Sequence, residues 1–512
     1  MKLTFVDYLK NHKKTISITA IFTVIIINLL VTAFLLSNND GAGGILGNGH
    51  NDGSSPDSII NSTDINLQTS FEDSSMSSSD ASIVNSSDNS STSQTNASVS
   101  SALSGSTAEA GTQPAEAKRL PAIYLSTNNK VDIETKEEYI PGTFSMTVDD
   151  NTRYNNKYSI STGPVKIRGR GNSSWELPKK PYRLKFDKKI SLFGLPSSKN
   201  WVLLASYNDK SLIRDNVASA MGAVLTNMPY APQTAVVDIY LNGEYLGVYI
   251  LSENIEIRTG RLELSTSKKA DTGFIIEIGA ANSTHVQNVD YIQTGYIKSA
   301  LIKTPEIEIR TDKQMAFIAD YMKKADEAVV SLKNYENYID VSSFIDWFIL
   351  HELTYNLDSS LSRNCYMVKN RGGKLQMGPP WNFTLAFGNM THDNSKYNTW
   401  ATIGSDSENS YVKTNWMNFL MNDVKFKSQL KERWFAVNDN LLNTAIKEID
   451  ECNKYTIPSA KENFKKWDIL DKRAGLESTE CFNIKTYEGQ VEYLKTFLRD
   501  RKAWMDSNIG GF

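Results

Sequence analysis

The sequence predicts an α+β chain of two lobes, carried behind an apolar N-terminal helix and a long polar tether. Three observations lead there. The first is where the aromatic residues fall: all nine Trp and 22 of the 23 Tyr lie beyond residue 118, so only residues 118–512 can build a substantial core. The second is a change of period, from strand-like alternation up to about residue 280 to helical spacing from about residue 312. The third is charge: no Lys or Arg occurs between Thr15 and Ala117, which no ordinary soluble domain would show.

From the N-terminus, residues 1–14 carry Lys2, Lys10, Lys13 and Lys14 against Asp7, a net +3. Residues 15–37 follow as 23 positions without a charge, long enough as a helix to cross a hydrocarbon core of roughly 30 Å. Lys13 and Lys14 on one side, and ten acids without a base on the other, orient a retained anchor with its N-terminus in the cytoplasm and the C-terminal domain outside. A cleaved signal peptide is the competing reading; against it stand the length of the run and the lack of a small-x-small site after Leu36. Residues 38–117 hold 21 Ser and a single aromatic, Phe71, too little apolar surface to offset ordering entropy, and are expected to be a disordered spacer.

The remaining residues, 118–512, carry a net charge of +4, too mild for a nucleic-acid reader built on a basic face. Three cysteines, Cys365, Cys452 and Cys481, cannot form a disulfide framework. Strands are expected at 121–126, 163–169, 181–186 and 200–205. A hairpin is expected over 235–251, turning at Asn242-Gly243, whose residues suit the positive φ of a type I′ turn. An amphipathic helix over 209–228, capped by Asn208 or Asp209, interrupts them. Helices are then expected at 314–332, 341–353 with Asp340 as cap, 415–436, 441–453 and 489–508.

Chemistry concentrates between residues 340 and 389. A helix delivers the polar loop Tyr355-Asn356-Leu357-Asp358-Ser359-Ser360, which runs to Asn364. A hairpin, 365–377, then releases Gly378-Pro379-Pro380-Trp381-Asn382-Phe383-Thr384. Helix, loop acid, hairpin and polar residues are the order in which a protein kinase sets out its base and its metal-binding acid, although loop Asp residues mostly form turns.

Several longer motifs occur in order: Ile167-Arg168-Gly169-Arg170-Gly171-Asn172-Ser173-Ser174-Trp175, then Lys179-Lys180-Pro181-Tyr182-Arg183-Leu184-Lys185-Phe186, then Leu246-Gly247-Val248-Tyr249 with Glu253, then Asn356-Leu357-Asp358 and residues 378–389. Together they resemble the spore coat protein H (CotH) kinase family. The resemblance implies a bilobal, diverged protein-kinase-like domain over 118–512 that binds ATP with Mg or Mn and phosphorylates Ser or Thr of coat or surface proteins.

Transferred by motif, Asp358 is the catalytic-loop acid that would accept the hydroxyl proton. Lys185, with Glu253 as ion-pair partner, is the candidate for holding nucleotide phosphates. Arg183 is its substitute, and Arg168, Asn172 and Ser173 stand beside it; for the basic strand residues a solvated face is the bland alternative. Trp175 and Trp201 read as core residues rather than base-stacking platforms. The metal position falls on Asn382 and Thr384, with Asn364. There the family's Trp-Asp-Phe-Asp becomes Trp-Asn-Phe-Thr, so two charged ligands for a hard cation are replaced by neutral oxygens. Asp393 or Glu277 are candidates to substitute, and a further departure is Gly279, where the family has an acid. Two functions stay open: a surface-tethered atypical Ser/Thr kinase, or a pseudokinase that scaffolds partners at a cell or spore surface.

Overall fold

Alternating apolar residues build seven strands that close into a barrel: β1 (Ala122–Thr127), β2 (Ile140–Thr147), β3 (Thr162–Gly169), β4 (Tyr182–Ile190), β5 (Ser198–Leu204), β6 (Thr234–Leu241) and β7 (Glu244–Glu253). The computed structural model describes residues 118–154, 161–282, 284–361, 363–390, 398–407 and 412–511. The apolar run 15–37, the tether 38–117 and Asp393 lie outside the described residues. Among the described residues no helix is long and apolar enough to cross a membrane.

The barrel runs β1-β2-β3-β4-β5-β7-β6 and closes through a parallel β1–β6 pairing, Ala122 opposite Asp238 to Leu125 opposite Leu241. Closure removes both sheet edges and was not foreseen from the sequence, nor was β2. Inward residues such as Ile123, Phe144, Ile167, Leu184, Trp201, Val237 and Tyr249 fill it as one core. The predicted hairpin is β6–β7, with Asn242 at φ 55° and Gly243 at 92°, as a type I′ turn requires.

Two short helices punctuate the barrel, α1 (Ser173–Glu176) between β3 and β4 and α2 (Arg214–Val224) between β5 and β6. The latter starts five residues later than the sequence suggests. Asp209 accepts from the backbone N–H groups of Ser211 and Arg214 and pairs with the Arg214 guanidinium, so residues 209–213 form a polar turn. Asp209 therefore receives the first helical N–H from outside the helix.

The second half holds a larger core and more strand than expected. A five-stranded sheet runs β12-β11-β8-β10-β9, from β8 (Phe274–Ile278), β9 (Tyr291–Ile292), β10 (Ala300–Thr304), β11 (Cys365–Lys369) and β12 (Leu375–Met377). Around it pack α3 (Asp312–Ser331), α4 (Val341–Leu353), α5 (Trp416–Leu420), α6 (Val424–Lys466), α7 (Thr479–Asn483) and α8 (Tyr487–Ile509). Thr311 and Gln314 make a capping box for α3, and Asp340 caps α4 by accepting from Ser343 N–H, as expected.

The two helices expected at 415–436 and 441–453 are instead the short α5 and the 43-residue α6. The polar run Val437-Asn438-Asp439-Asn440 stays helical because Asn438 is buried, its amide donating to Asp506 of α8 at 2.7 Å. Its amide N–H₂ is thereby spent on a tertiary partner, while its Oδ1 accepts from the Asp439 N–H at 2.7 Å. Glu352, at the end of α4, is buried in an ion pair with Arg501 of α8 at 2.9 Å and accepts from Ala401 and Thr402, which ties the C-terminal helix to the end of α4 and to the segment that precedes α5.

Candidate functional site

A cleft of about 810 Å³ opens where the β3–β4 connection faces the loop after α4 and the segment after β12. Helix α4 ends at Thr354, whose hydroxyl donates to Leu350 C=O at 2.8 Å, and Tyr355 at φ 48° turns the chain out of the helix. The loop is fixed to the next segment by Asn356, which donates to the Asn382 carbonyl at 2.9 Å. Asp358 then projects into the cleft, and its Oδ2 accepts from Asn382 Nδ2 at 2.7 Å and Asn364 Nδ2 at 3.1 Å. Asp358, Asn364 and Asn382, singled out by motif, thus meet at one carboxylate oxygen.

The other replaced acid has a different partner. Thr384 donates its hydroxyl to Asp215 Oδ2 at 2.7 Å, and Phe383 N–H donates to Asp215 Oδ1 at 2.7 Å. Asp215 sits in the first turn of α2, where a carboxylate is favoured by the helix dipole. Burial pushes its carboxyl above the usual range, against the two donors and nearby Arg170. Sequence reasoning missed it because its partners are 168 and 169 residues away.

Asn172 and Ser173, at the start of α1, line the cleft as expected. Arg168 and Arg183 do not; they face a neighbouring cavity. The Lys185–Glu253 pair does not form. Lys185 lies opposite Asn200 and Glu253 opposite Trp201, consecutive residues of β5, so the two side chains point to opposite faces of the barrel wall. Lys185 is exposed over the Tyr139 ring, while Glu253 is buried on Arg261 at 2.7 Å. Two other lysines line the cleft, Lys179 and Lys413, and the first of them, Lys179, comes from the β3–β4 connection. It is buried, donates to Val248 C=O at 2.5 Å and Asn463 Oδ1 at 3.0 Å, and is lowered to about 7 by that burial. Trp201 is a core residue, as read, and Trp175 packs half-buried against Tyr182.

Glu277 lines the cleft but is paired with Lys303 at 3.1 Å; Gly279, also lining it, has φ 74°, a conformation that favours glycine over an acid. Among the described residues no group of three His, Cys, Asp or Glu side chains is placed to hold a metal. Asp215 and Asp358 are the cleft carboxylates on these segments, and both already accept hydrogen bonds, so a hard cation fits only if it arrives with phosphates and keeps its waters, not if it is held by protein alone.

Behind the loop, His351 of α4 is fully buried, stacked on Trp347 with centroids 4.2 Å apart and tilted against Phe383 at 5.0 Å. Neither ring nitrogen has a hydrogen-bond partner, and burial pushes the imidazole down to about 3.

A family model described as CotH kinase protein matches residues 167–505, about two thirds of the chain. No curated protein gives a significant match.

Proposed function

The chain belongs to the CotH kinase protein family, and from that premise we propose that its cleft binds ATP and presents it to a Ser or Thr hydroxyl of a coat or surface protein. The observation that carries this reading is the meeting of Asp358, Asn364 and Asn382 at one carboxylate oxygen inside a cleft of small-ligand size. In this reading Asp358 accepts the hydroxyl proton, and the two amides hold its carboxylate in place. Lys179 and Arg170 supply positive charge along the same cleft, and the Gly171-Asn172-Ser173 segment covers it. ATP with Mg or Mn would bring the transferable phosphoryl group and the charge that Asn382 and Thr384 do not neutralise. Residues 15–37 anchor the chain in the membrane with the domain outside.

A second reading, a catalytically impaired pseudokinase that scaffolds surface partners, is favoured by one contact. The Asn382 amide donates to Asp358 where the family's acid would face a cation. Thermal shift of the full chain with ATP, with and without Mg or Mn, tests the proposal. Metal-dependent stabilisation supports nucleotide binding, and phosphate transfer to protein then separates kinase from pseudokinase. No shift under any condition sinks the kinase reading and leaves the scaffold.

A further inference from the structure

A second cavity, of about 1500 Å³, adjoins the cleft through a shared wall that includes Arg170, Glu277, Tyr366 and Trp381. Six bases line it, Lys136, Arg168, Arg170, Arg183, Lys268 and Lys303, against three acids, Glu256, Glu277 and Glu306. Two of the acids are already neutralised: Glu256 by Arg261 at 3.1 Å and Glu277 by Lys303 at 3.1 Å.

Among the described residues the cavity's arginines form no ion pair. Arg168 and Arg183 are directly opposite across β3 and β4, so both guanidinium groups leave the same face of the barrel. Each has a buried Nε without a hydrogen-bond partner. The Arg170 guanidinium lies over the Trp381 ring at 5.7 Å and makes no ion pair with any described residue. Burial holds Arg170 below its usual range and neighbouring Arg183 lowers it further, against Tyr366, Glu277 and Asp215, which favour its charge. Crowded guanidinium groups with unsatisfied buried N–H donors are costly, and an oxyanion relieves both the repulsion and the missing hydrogen bonds.

Size indicates what bears the oxyanion. The cavity exceeds the roughly 300–1,000 Å³ of small-molecule sites. Its wall also offers apolar Val202, Ile275 and Leu301, and Ile309 stands 72 % exposed at its rim. Such a groove suits a polypeptide segment better than a nucleotide.

We propose that this cavity is a docking subsite for an anionic stretch of the acceptor polypeptide, taking a glutamate or phosphoserine side chain on Arg168 and Arg183, with Arg170 in the wall shared with the cleft. The acceptor role rests on the kinase-type reading of the cleft, whereas the binding of the anion does not.

The test uses the full chain and three synthetic peptides, each with one serine in a neutral background and differing at one nearby position, Gln, Glu or phosphoserine. Fluorescence anisotropy should show the Glu and phosphoserine peptides binding at least tenfold tighter than the Gln peptide, with a preference that weakens in salt. Arg183→Gln and Arg168→Gln should each abolish the preference, and Arg183→Lys should keep part of it; thermal unfolding checks that each variant is folded. Should Arg183→Gln unfold, Arg168→Gln and the salt dependence decide. Saturating ATP with Mg should leave the peptides bound. Equal binding of the three peptides overturns the proposal. Displacement of the anionic peptides by ATP also overturns it, because the arginines would then hold nucleotide phosphates, and the kinase-type reading would survive. Anionic-peptide binding by a protein that never binds ATP would leave the docking site and remove the kinase-type reading.

Discussion

His351 gives the chain an acid-sensitive joint beneath the Trp-Asn-Phe-Thr segment. Its imidazole is 0 % exposed, stacked on Trp347 and tilted against Phe383, with both nitrogens unpartnered and its protonation pushed down to about 3 by burial. An unfolded histidine protonates near 6.5. Between about pH 6.5 and 3 the unfolded chain therefore binds a proton that the folded chain refuses, so the stability contributed by neutral His351 is complete above 6.5 and declines as pH falls. The loss is about 1.4 kcal/mol at pH 5.5 and about 2.7 kcal/mol at pH 4.5, growing by about 1.4 kcal/mol per pH unit until the folded group itself titrates. His351→Phe keeps a flat ring in the stack and removes two buried polar atoms, so the variant should be at least as stable as the wild type at pH 7.5. The assay is urea unfolding of both proteins at pH 7.5, 6.5, 5.5 and 4.5, read as the difference between their unfolding free energies, which cancels every other titrating group. Wild type should lose ground to the variant by the amounts above. Parallel curves would refute the reasoning and show that the buried imidazole is solvated or paired in solution.

Three further outcomes follow from the cleft and its supports. Asp358→Ala should leave circular dichroism and folding unchanged while removing whatever phosphate transfer the wild type shows by radiolabel incorporation; retained transfer would remove Asp358 from the chemistry. Asn382→Asp should strengthen metal-dependent ATP binding, and adding Thr384→Asp should strengthen it further. Binding at 100 Kd adds about 2.7 kcal/mol of stability, readable as a thermal shift. Without metal, Thr384→Asp should lower the midpoint, because it sets a second carboxylate against Asp215. Arg501→Met leaves Glu352 buried without its cation and should cost about 3–5 kcal/mol in denaturant unfolding. A cost below about 1 kcal/mol would mean that Ala401 and Thr402 alone satisfy the carboxylate.

Local signals carried most of what was legible in the sequence. Asn242-Gly243 announced its hairpin, Asp340 announced α4, and the run from Cys365 to Met377 announced β11–β12, because each depends on residues a few positions apart. What depended on distant partners stayed hidden. Barrel closure joins β1 to β6 across more than a hundred residues, and no feature of Ala122–Leu125 names that partner. Asp209 carried a true helix-start signal but acts five residues ahead of the helix. In the site, the motif residues Asp358, Asn364 and Asn382 do converge, whereas Lys185 and Glu253 were separated by strand register, a one-residue offset that motif matching does not see. A compact Asp in a first helical turn, as Asp215 is, could have been flagged as a cap; its contact with Thr384 could not.

Helix α6 spans roughly 64 Å at 1.5 Å per residue and touches both halves of the domain. Ahead of Pro458 it packs against α2, α4 and α8. Beyond Pro458, Ser459 hydrogen-bonds Asp238, and Asn463 receives Lys179 and the backbone of Val248. It works as a splint across a joint, so barrel and helical half cannot swing apart freely while it stays straight. Its weak point is Pro458, which lacks the N–H that would bond the carbonyl of Lys454. Flexing should therefore concentrate at this one turn, and the part of the barrel held by the short end would shift against the part that Glu448 holds through Arg153. Because Lys179 is held by that short end, a small bend there would move a cleft lysine relative to Asp358, turning a distant crease in the helix into a change in the width of the cleft's mouth.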